Sequence, residues 1–205
     1  MLIDIITQAS EISSRTGRIK LIQPVEDHDS AFFSLHSHFQ EHRYIEFHPV
    51  SGTSAASNVA KFRRELHRGS ASAVHEFHVL QCQPNGSSLS SIGWTWVHRI
   101  DTIEKSCEAG IVVKRSGYTS DILYTLFSYV FEKLQLHRVC IKTENDNLEM
   151  RGWLEIRAGA KIEIKEREAW TDLINGGYCN VVGYGILDWE WQNRIKAILE
   201  SRLGL

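Results

Sequence analysis

The chain has 205 residues, a length that suits a single domain with a substantial hydrophobic core. Hydrophobic residues make up 42% of it and charged residues 23%, a balance that excludes a disordered chain. The formal net charge is −2, and lysine and arginine are spread along the chain without forming a basic run, which argues against nucleic acid as a partner.

The first third of the chain begins with residues 1–17, which show no clear pattern and are predicted to be an N-terminal extension. A single domain is predicted to span residues 18–205. Alternating branched residues indicate a strand at the start of this domain. Helical spacing and capping signals then indicate two helices separated by a loop with Pro49 and Gly52. The predicted bounds are 18–25 for the strand, 27–39 and 55–67 for the helices, and 43–53 for the loop.

The rest of the chain alternates between the two kinds of periodicity. The clearest helix runs from Asp121 to Leu134, where apolar residues recur at helical spacing. Asn175 and two glycines after it form a strong hairpin signal, because a tight turn needs positive φ. Strands are predicted around 77–80, 92–96, 109–113, 137–143, 161–174 and 179–187, with helices over 148–158 and after residue 191. This order predicts a mixed α/β (α+β) fold: a mostly antiparallel sheet with one parallel crossover, flanked by helices.

Four stretches together resemble the GNAT superfamily of acetyltransferases, in the branch that contains the ribosomal-protein N-terminal acetyltransferases. The stretches are Lys114–Asp121, Tyr129–Val139, Asn145–Asn147 followed by Trp153–Gly159, and the closing hairpin ending at Asp188–Trp191. The likeness covers about residues 16–195. It implies an enzyme that moves an acetyl group from acetyl-CoA directly to a primary amine, on a protein N-terminus or a small molecule.

The loop before the helix at Asp121 suits a phosphate, because free amides at a helix start lie at the positive end of its dipole. In the family, this loop holds the pyrophosphate of acetyl-CoA. The resemblance implies cofactor contacts from Ile111, Val112, Val113, Arg115, Ser116, Gly117, Tyr118, Thr119, Ser120 and Asn147. Thr119 and Asp121 depart from the family pattern by adding bulk and negative charge. Gly110 lies only seven positions before Gly117, so either the loop is short or the strand lies nearer Glu104–Glu108.

The resemblance also suggests where the chemistry takes place. Glu108 matches an acidic position at the fourth strand and is the first candidate for the base, with Glu104 in its place if the strand is shifted. Tyr44, Trp94 and Trp96 are predicted to line the acceptor pocket. Leu154 and Met150 stand where relatives carry a Tyr or Ser general acid, so no general acid is identified. This motivates an alternative, a GNAT-like binding or regulatory module without turnover.

Other features suggest how the protein occurs in the cell. The four cysteines lie at least 25 residues apart without a CxxC pair, which is typical of free thiols in a reducing cytoplasm. The start lacks a basic leader and no stretch has transmembrane length, so we expect a cytoplasmic protein without membrane contact. His36, His38 and His42 are interpreted as a solvated helix face, and no metal is expected. Exposed strands of the closing hairpin would permit a homodimer.

Overall fold

The structure, a computed structural model, describes residues 8–24, 74–83, 90–114, 117–172 and 175–205. Eight strands form one sheet in the order β1-β2-β3-β4-β5-β6-β8-β7. Neighbouring strands are antiparallel except β5 and β6, which are parallel. The strands are β1 (Glu11–Ser13), β2 (Ile19–Ile22), β3 (His75–Gln81), β4 (Ser90–Asp101), β5 (Ser106–Val113), β6 (Arg138–Glu144), β7 (Lys161–Thr171) and β8 (Tyr178–Leu187).

Three helical segments accompany the described part of this sheet. Helix α1 (Thr119–Ser128) continues through the wider turn Tyr129–Lys133 and connects β5 to β6. Helix α2 (Leu148–Gly152) continues in the same way through Trp153–Ala158. The C-terminal segment, α3, comprises Asp188–Glu190, Trp191–Ile195 and Lys196–Leu203. None of the described helices is long and apolar enough to cross a bilayer.

The predicted fold class is confirmed, with a mostly antiparallel sheet, flanking helices and one parallel crossover through α1. The strand predicted over 109–113 begins earlier, at Ser106, because its first three residues pair with β6. The strand also runs on to Val113, and α1 begins at Thr119, so of the two choices for the short spacing the structure favours the short loop. The two helices predicted over 27–39 and 55–67 lie outside the described residues.

Part of the segment predicted to be an N-terminal extension belongs to the sheet. Glu11–Ser13 pairs with β2 to form the edge strand β1. The turn after it is held to helix α1, since Arg15 Nη1 donates to the Tyr124 hydroxyl over 3.0 Å. A strand of three residues is too short to show a periodic pattern in the sequence.

An aromatic cluster fixes α1 against the two later helical segments. Trp191 is fully buried, with its ring stacked on Phe131 at 5.9 Å and edge-on to Phe127 at the same distance. Phe127 also contacts Trp153 of α2, with ring centroids 6.4 Å apart. Such aromatic pairs add about 0.5–1.5 kcal/mol each beyond their buried area. The cluster sets the position of α1 relative to the later helical segments.

Candidate active site

A cleft opens where the parallel strands β5 and β6 separate. The two strands pair at only three register positions, Ser106 with Arg138, Cys107 with Val139, and Glu108 with Cys140. Beyond Glu108, β5 stays paired with β4 as far as Val113, while β6 stays paired with β8 as far as Glu144. The facing edges of the two strands are therefore free to bind something that lies between them.

The cleft has a volume of about 540 Å³. Its walls are β5 from residue 108 to 113 and β6 from residue 141 to 143. Thr119 at the start of α1 and the first turn of α2 complete its rim. Ile111, Val112 and Val113, three of the residues predicted to bind the cofactor, thus lie in its wall.

The amides of β5 that face the cleft follow from the pairing of this strand with β4. The Lys114 amide donates to the Ile92 carbonyl across β4 over 2.8 Å. Backbone groups alternate in direction along a strand, so the Val112 amide also points to β4. The amides of Ile111 and Val113 point the other way, into the gap. Two of the three predicted backbone donors are thus directed at the cleft.

The start of α1 forms one end of the cleft. Gly117 has a φ of +88°, which an L residue rarely adopts, and Tyr118 follows it as the N-cap. No side-chain hydrogen bond caps this first turn among the described residues. Its amides lie at the positive end of the helix dipole, where an anion is stabilised. Arg115 and Ser116, also predicted to bind the cofactor, lie outside the described residues.

Arg18, which the sequence did not point to, lies beside this loop. Its Nη2 donates to the Gly117 carbonyl over 3.3 Å, and its guanidinium lies 4.6 Å from the centroid of the Tyr118 ring. This places a cation next to the helix start. The contact joins residues 99 positions apart, so no local pattern could have indicated it.

Asp121, which adds a negative charge to this helix start, is turned away from the loop. It is fully buried, and its Oδ2 accepts a hydrogen bond from Thr16 Oγ1 over 2.6 Å. Burial raises the pKa of its carboxyl above the ordinary value, and the Thr16 hydrogen bond and the Arg18 charge offset part of that rise. The carboxyl is thus held by the turn between β1 and β2.

Three further hydrogen bonds fix the rim of the cleft. Trp153 Nε1 donates to Ser120 Oγ over 3.0 Å and so ties α2 to the first turn of α1. Asn147 caps α2, because its Oδ1 accepts from the Met150 amide over 3.1 Å. The Asn147 Nδ2 donates to Thr143 Oγ1 over 2.9 Å. Asn147 lines the cleft, where its amide has room for one more donated hydrogen bond.

Glu108 lies where the strands separate and is 9% exposed. Arg99 Nη1 donates to its Oε2 over 2.8 Å, and His98 Nε2 lies 3.7 Å from its Oε1. Burial by itself would raise the pKa of this carboxyl, but the hydrogen bond and charge of His98, with the Arg99 and Lys142 charges, outweigh burial and lower the pKa. Glu104 lies in the exposed turn between β4 and β5, away from the cleft.

The two tryptophans predicted to line the acceptor pocket differ in position. Their rings lie 4.3 Å apart between centroids at an angle of 30°, and both are buried. Trp96 lines the cleft and packs over Gly110, where an added Cβ would lie 2.0 Å from Trp96 Cζ2. Trp94 does not line the cleft. Tyr44 lies outside the described residues, as do the three histidines of the predicted solvated helix face.

The two residues at the positions where relatives carry a general acid have no side-chain proton to donate. Leu154 lies in the continuation of α2 and is fully buried in the core. Met150 lines the cleft, but a thioether cannot donate a proton.

Comparison with known proteins gives a family match over most of the chain. The family model for the acetyltransferase (GNAT) domain matches residues 18–160. Solved structures similar to the chain include a GCN5-related N-acetyltransferase from Brucella melitensis, with 18% identity, a TM-score of 0.72, and coverage of 96% of this chain and 86% of that one. No match was found among curated proteins.

A second solved structure is spermidine N-acetyltransferase from Vibrio cholerae in complex with CoA and spermine. It is 20% identical, has a TM-score of 0.70, and covers 86% of this chain and 99% of its own. At this level of identity the likeness concerns the fold.

Proposed function

Because the chain belongs to the GNAT acetyltransferase family, whose acetyl donor is acetyl-CoA, we propose that it binds acetyl-CoA between β5 and β6 and acetylates a primary amine beside Glu108. The observation that carries this proposal is the separation of the two strands after Glu108. An extended pantetheine arm would take the place of a strand there and accept hydrogen bonds from the amides of Ile111 and Val113.

The start of α1 suits the pyrophosphate of the same ligand. Its amides lack a side-chain cap among the described residues, and Gly117 lets the backbone approach a phosphate without a Cβ in the way. We place the pyrophosphate against the loop from Arg115 to Ser120 and expect Arg18 to add a positive charge nearby. Asn147 would donate its remaining amide hydrogen to the pantetheine arm.

The chemistry is a direct transfer. A neutral amine attacks the thioester carbonyl, the C–N bond forms, and the oxygen takes up negative charge that backbone amides of β5 stabilise. The C–S bond then breaks, and CoA leaves as a thiolate. The nitrogen loses its surplus proton to Glu108, directly or through water, and the thiolate takes up a proton from the protonated Glu108 by way of water or from solvent. No dedicated general acid at Leu154 or Met150 is needed for this balance.

The acceptor is a primary amine on a protein N-terminus or a small molecule. Trp96 provides an apolar wall beside Glu108 for the part of the acceptor next to its nitrogen. The Trp94 ring packs on Trp96 at 4.3 Å between centroids, and Tyr44 stays a prediction. The sequence resembles the ribosomal-protein N-terminal acetyltransferases, which favours a peptide N-terminus as the first acceptor to test.

Calorimetric titration with acetyl-CoA tests the cofactor site. We expect the parent to bind and Gly117→Trp to lose binding, because the indole would fill the phosphate loop. Gly177→Trp is the matched control: Gly177 has a φ of +84° and, like Gly117, nothing within 4 Å of an added Cβ, but it lies in the turn between β7 and β8. A folded parent that binds no acetyl-CoA would overturn the proposal.

Turnover tests the proposed role of Glu108. With N-terminal peptides, spermidine and amino sugars as acceptors, Glu108→Gln should reduce the rate by about 10²-fold or more. Glu104→Gln, in the exposed turn of the same hairpin, should leave the rate near that of the parent. Binding of acetyl-CoA without turnover on any of these amines would instead favour the regulatory module.

A further inference from the structure

The end of β4 next to Glu108 has an unusual backbone. Arg99 has a φ of 51°, in the left-handed region that residues other than glycine rarely adopt. The register between β4 and β5 shifts between His98 and Asp101, so Arg99 sits in a bulge. Strained residues of this kind persist only where the surrounding structure holds them in place, and they cluster at functional sites.

The bulge changes the direction of the Arg99 side chain. In a regular strand, neighbouring residues point to opposite faces, so His98 and Arg99 could not both reach one side chain on β5. Here His98 is the register partner of Glu108, and Arg99 nevertheless donates to Glu108 Oε2 over 2.8 Å. The extra residue in β4 thus brings two consecutive side chains to the same carboxylate.

The groups facing Glu108 come from both neighbouring strands. His98 and Arg99 approach from β4, and Cys140 and Lys142 face it from β6. Arg99 contacts the carboxylate at 2.8 Å, closer than His98 at 3.7 Å. The Glu108 side chain is 12% exposed, so without a cation on it the carboxyl would be driven towards its neutral form.

We propose that Arg99 is a positioning residue, which holds Glu108 as an oriented carboxylate in the cleft, and that the strained bulge in β4 serves to bring it there. The role of Glu108 in acetyl transfer rests on the proposed function, whereas the control of its ionisation by Arg99 does not. The two can therefore fail separately.

The test compares three single variants with the parent. Arg99→Gln removes the charge and keeps a hydrogen-bond donor, and Arg99→Lys keeps the charge. Lys105→Met is the matched control, since Lys105 is also a cation with a positive φ (50°) in the same hairpin but lines no part of the cleft. The titration of the Glu108 carboxyl is followed by NMR on protein with ¹³C-labelled glutamate, assigned with Glu108→Gln, and the pH profile of kcat is measured in parallel.

We expect Arg99→Gln to move both the Glu108 titration and the acid limb of kcat to higher pH, with activity at the acid end falling several-fold relative to the plateau. Arg99→Lys should restore most of the shift, and Lys105→Met should match the parent. Since the Arg99 side chain is 52% exposed, high salt should shift the Glu108 titration of the parent in the same direction. This measurement needs no variant to fold.

An unchanged Glu108 titration in Arg99→Gln and in high salt would overturn the inference. A shifted titration in a protein that acetylates no amine would support the inference and count against the proposed function. A shifted titration with an unmoved acid limb would show that Arg99 holds the carboxylate without serving turnover, and would overturn its role as a positioning residue.

Discussion

Replacing Gly110 by alanine should both destabilise the protein and disturb the cleft. An added Cβ would lie 2.0 Å from Cζ2 and 2.3 Å from Cε2 of Trp96, far inside van der Waals contact. The indole cannot move away freely, because it is 4% exposed and packs on Trp94 at 4.3 Å between ring centroids. Overpacking of a rigid interior typically costs about 1–3 kcal/mol.

For a domain of this size, that cost corresponds to a fall in Tm of roughly 2–12 °C. Because Trp96 lines the cleft, its displacement should also raise the KM for the acceptor amine. Gly152→Ala is the control: Gly152 lies in α2 with nothing within 4 Å of an added Cβ, so alanine should raise stability by about 1 kcal/mol. A Gly110→Ala protein with the Tm and KM of the parent would refute this reasoning.

Two further substitutions test the rim of the cleft and the start of α1. Asn147→Ala removes the cap of α2 and should lower the free energy of unfolding, measured by thermal denaturation, by about 1 kcal/mol. It should also raise the KM for acetyl-CoA. An unchanged free energy and an unchanged KM would contradict the capping role and the cofactor-binding role of Asn147. The pKa of the Asp121 carboxyl is raised in the folded state, so protonation of Asp121 stabilises the fold. This stabilisation is complete at pH values below the pKa of Asp121 in the unfolded chain, and it is lost as the pH rises through its pKa in the folded protein. Asp121→Asn should lack that loss, so its stability relative to the parent should increase with pH in urea denaturation, and a constant difference would contradict the assignment.

The sequence predicted the elements whose patterns are local. The apolar positions of α1 recur every third or fourth residue, and the turn at Asn175 has its own chemistry, so both were found. The start of β5 was missed because Glu108 interrupts the apolar run, and a charged residue facing a cleft does not fit the pattern of a buried strand. Strand β1 was missed because a strand of three residues is too short to show an alternating pattern.

The residues of the candidate site likewise include some that a local sequence pattern predicted and some that it did not. Glu108, Gly117 and Asn147 were identified from their places in an ordered pattern, and the structure puts Glu108 and Asn147 in the cleft and Gly117 at its end. Arg18 and Arg99 were missed. Arg18 reaches the loop from a distant strand, and Arg99 reaches Glu108 only because β4 bulges. A bulge depends on how two strands pair, which the period of one strand does not reveal.

The separation of β5 from β6 also affects how the protein unfolds. Strands β1 to β5 and strands β6, β8 and β7 form two parts of the described sheet, and only three register positions join them. Such weakly joined parts can open as separate cooperative units, which amide hydrogen exchange detects. A ligand bound along both free edges would add hydrogen bonds across the joint. The acetyl donor would then stabilise the contact between the two parts of the sheet as well as serve as a substrate. Its binding should slow amide hydrogen exchange in both parts together.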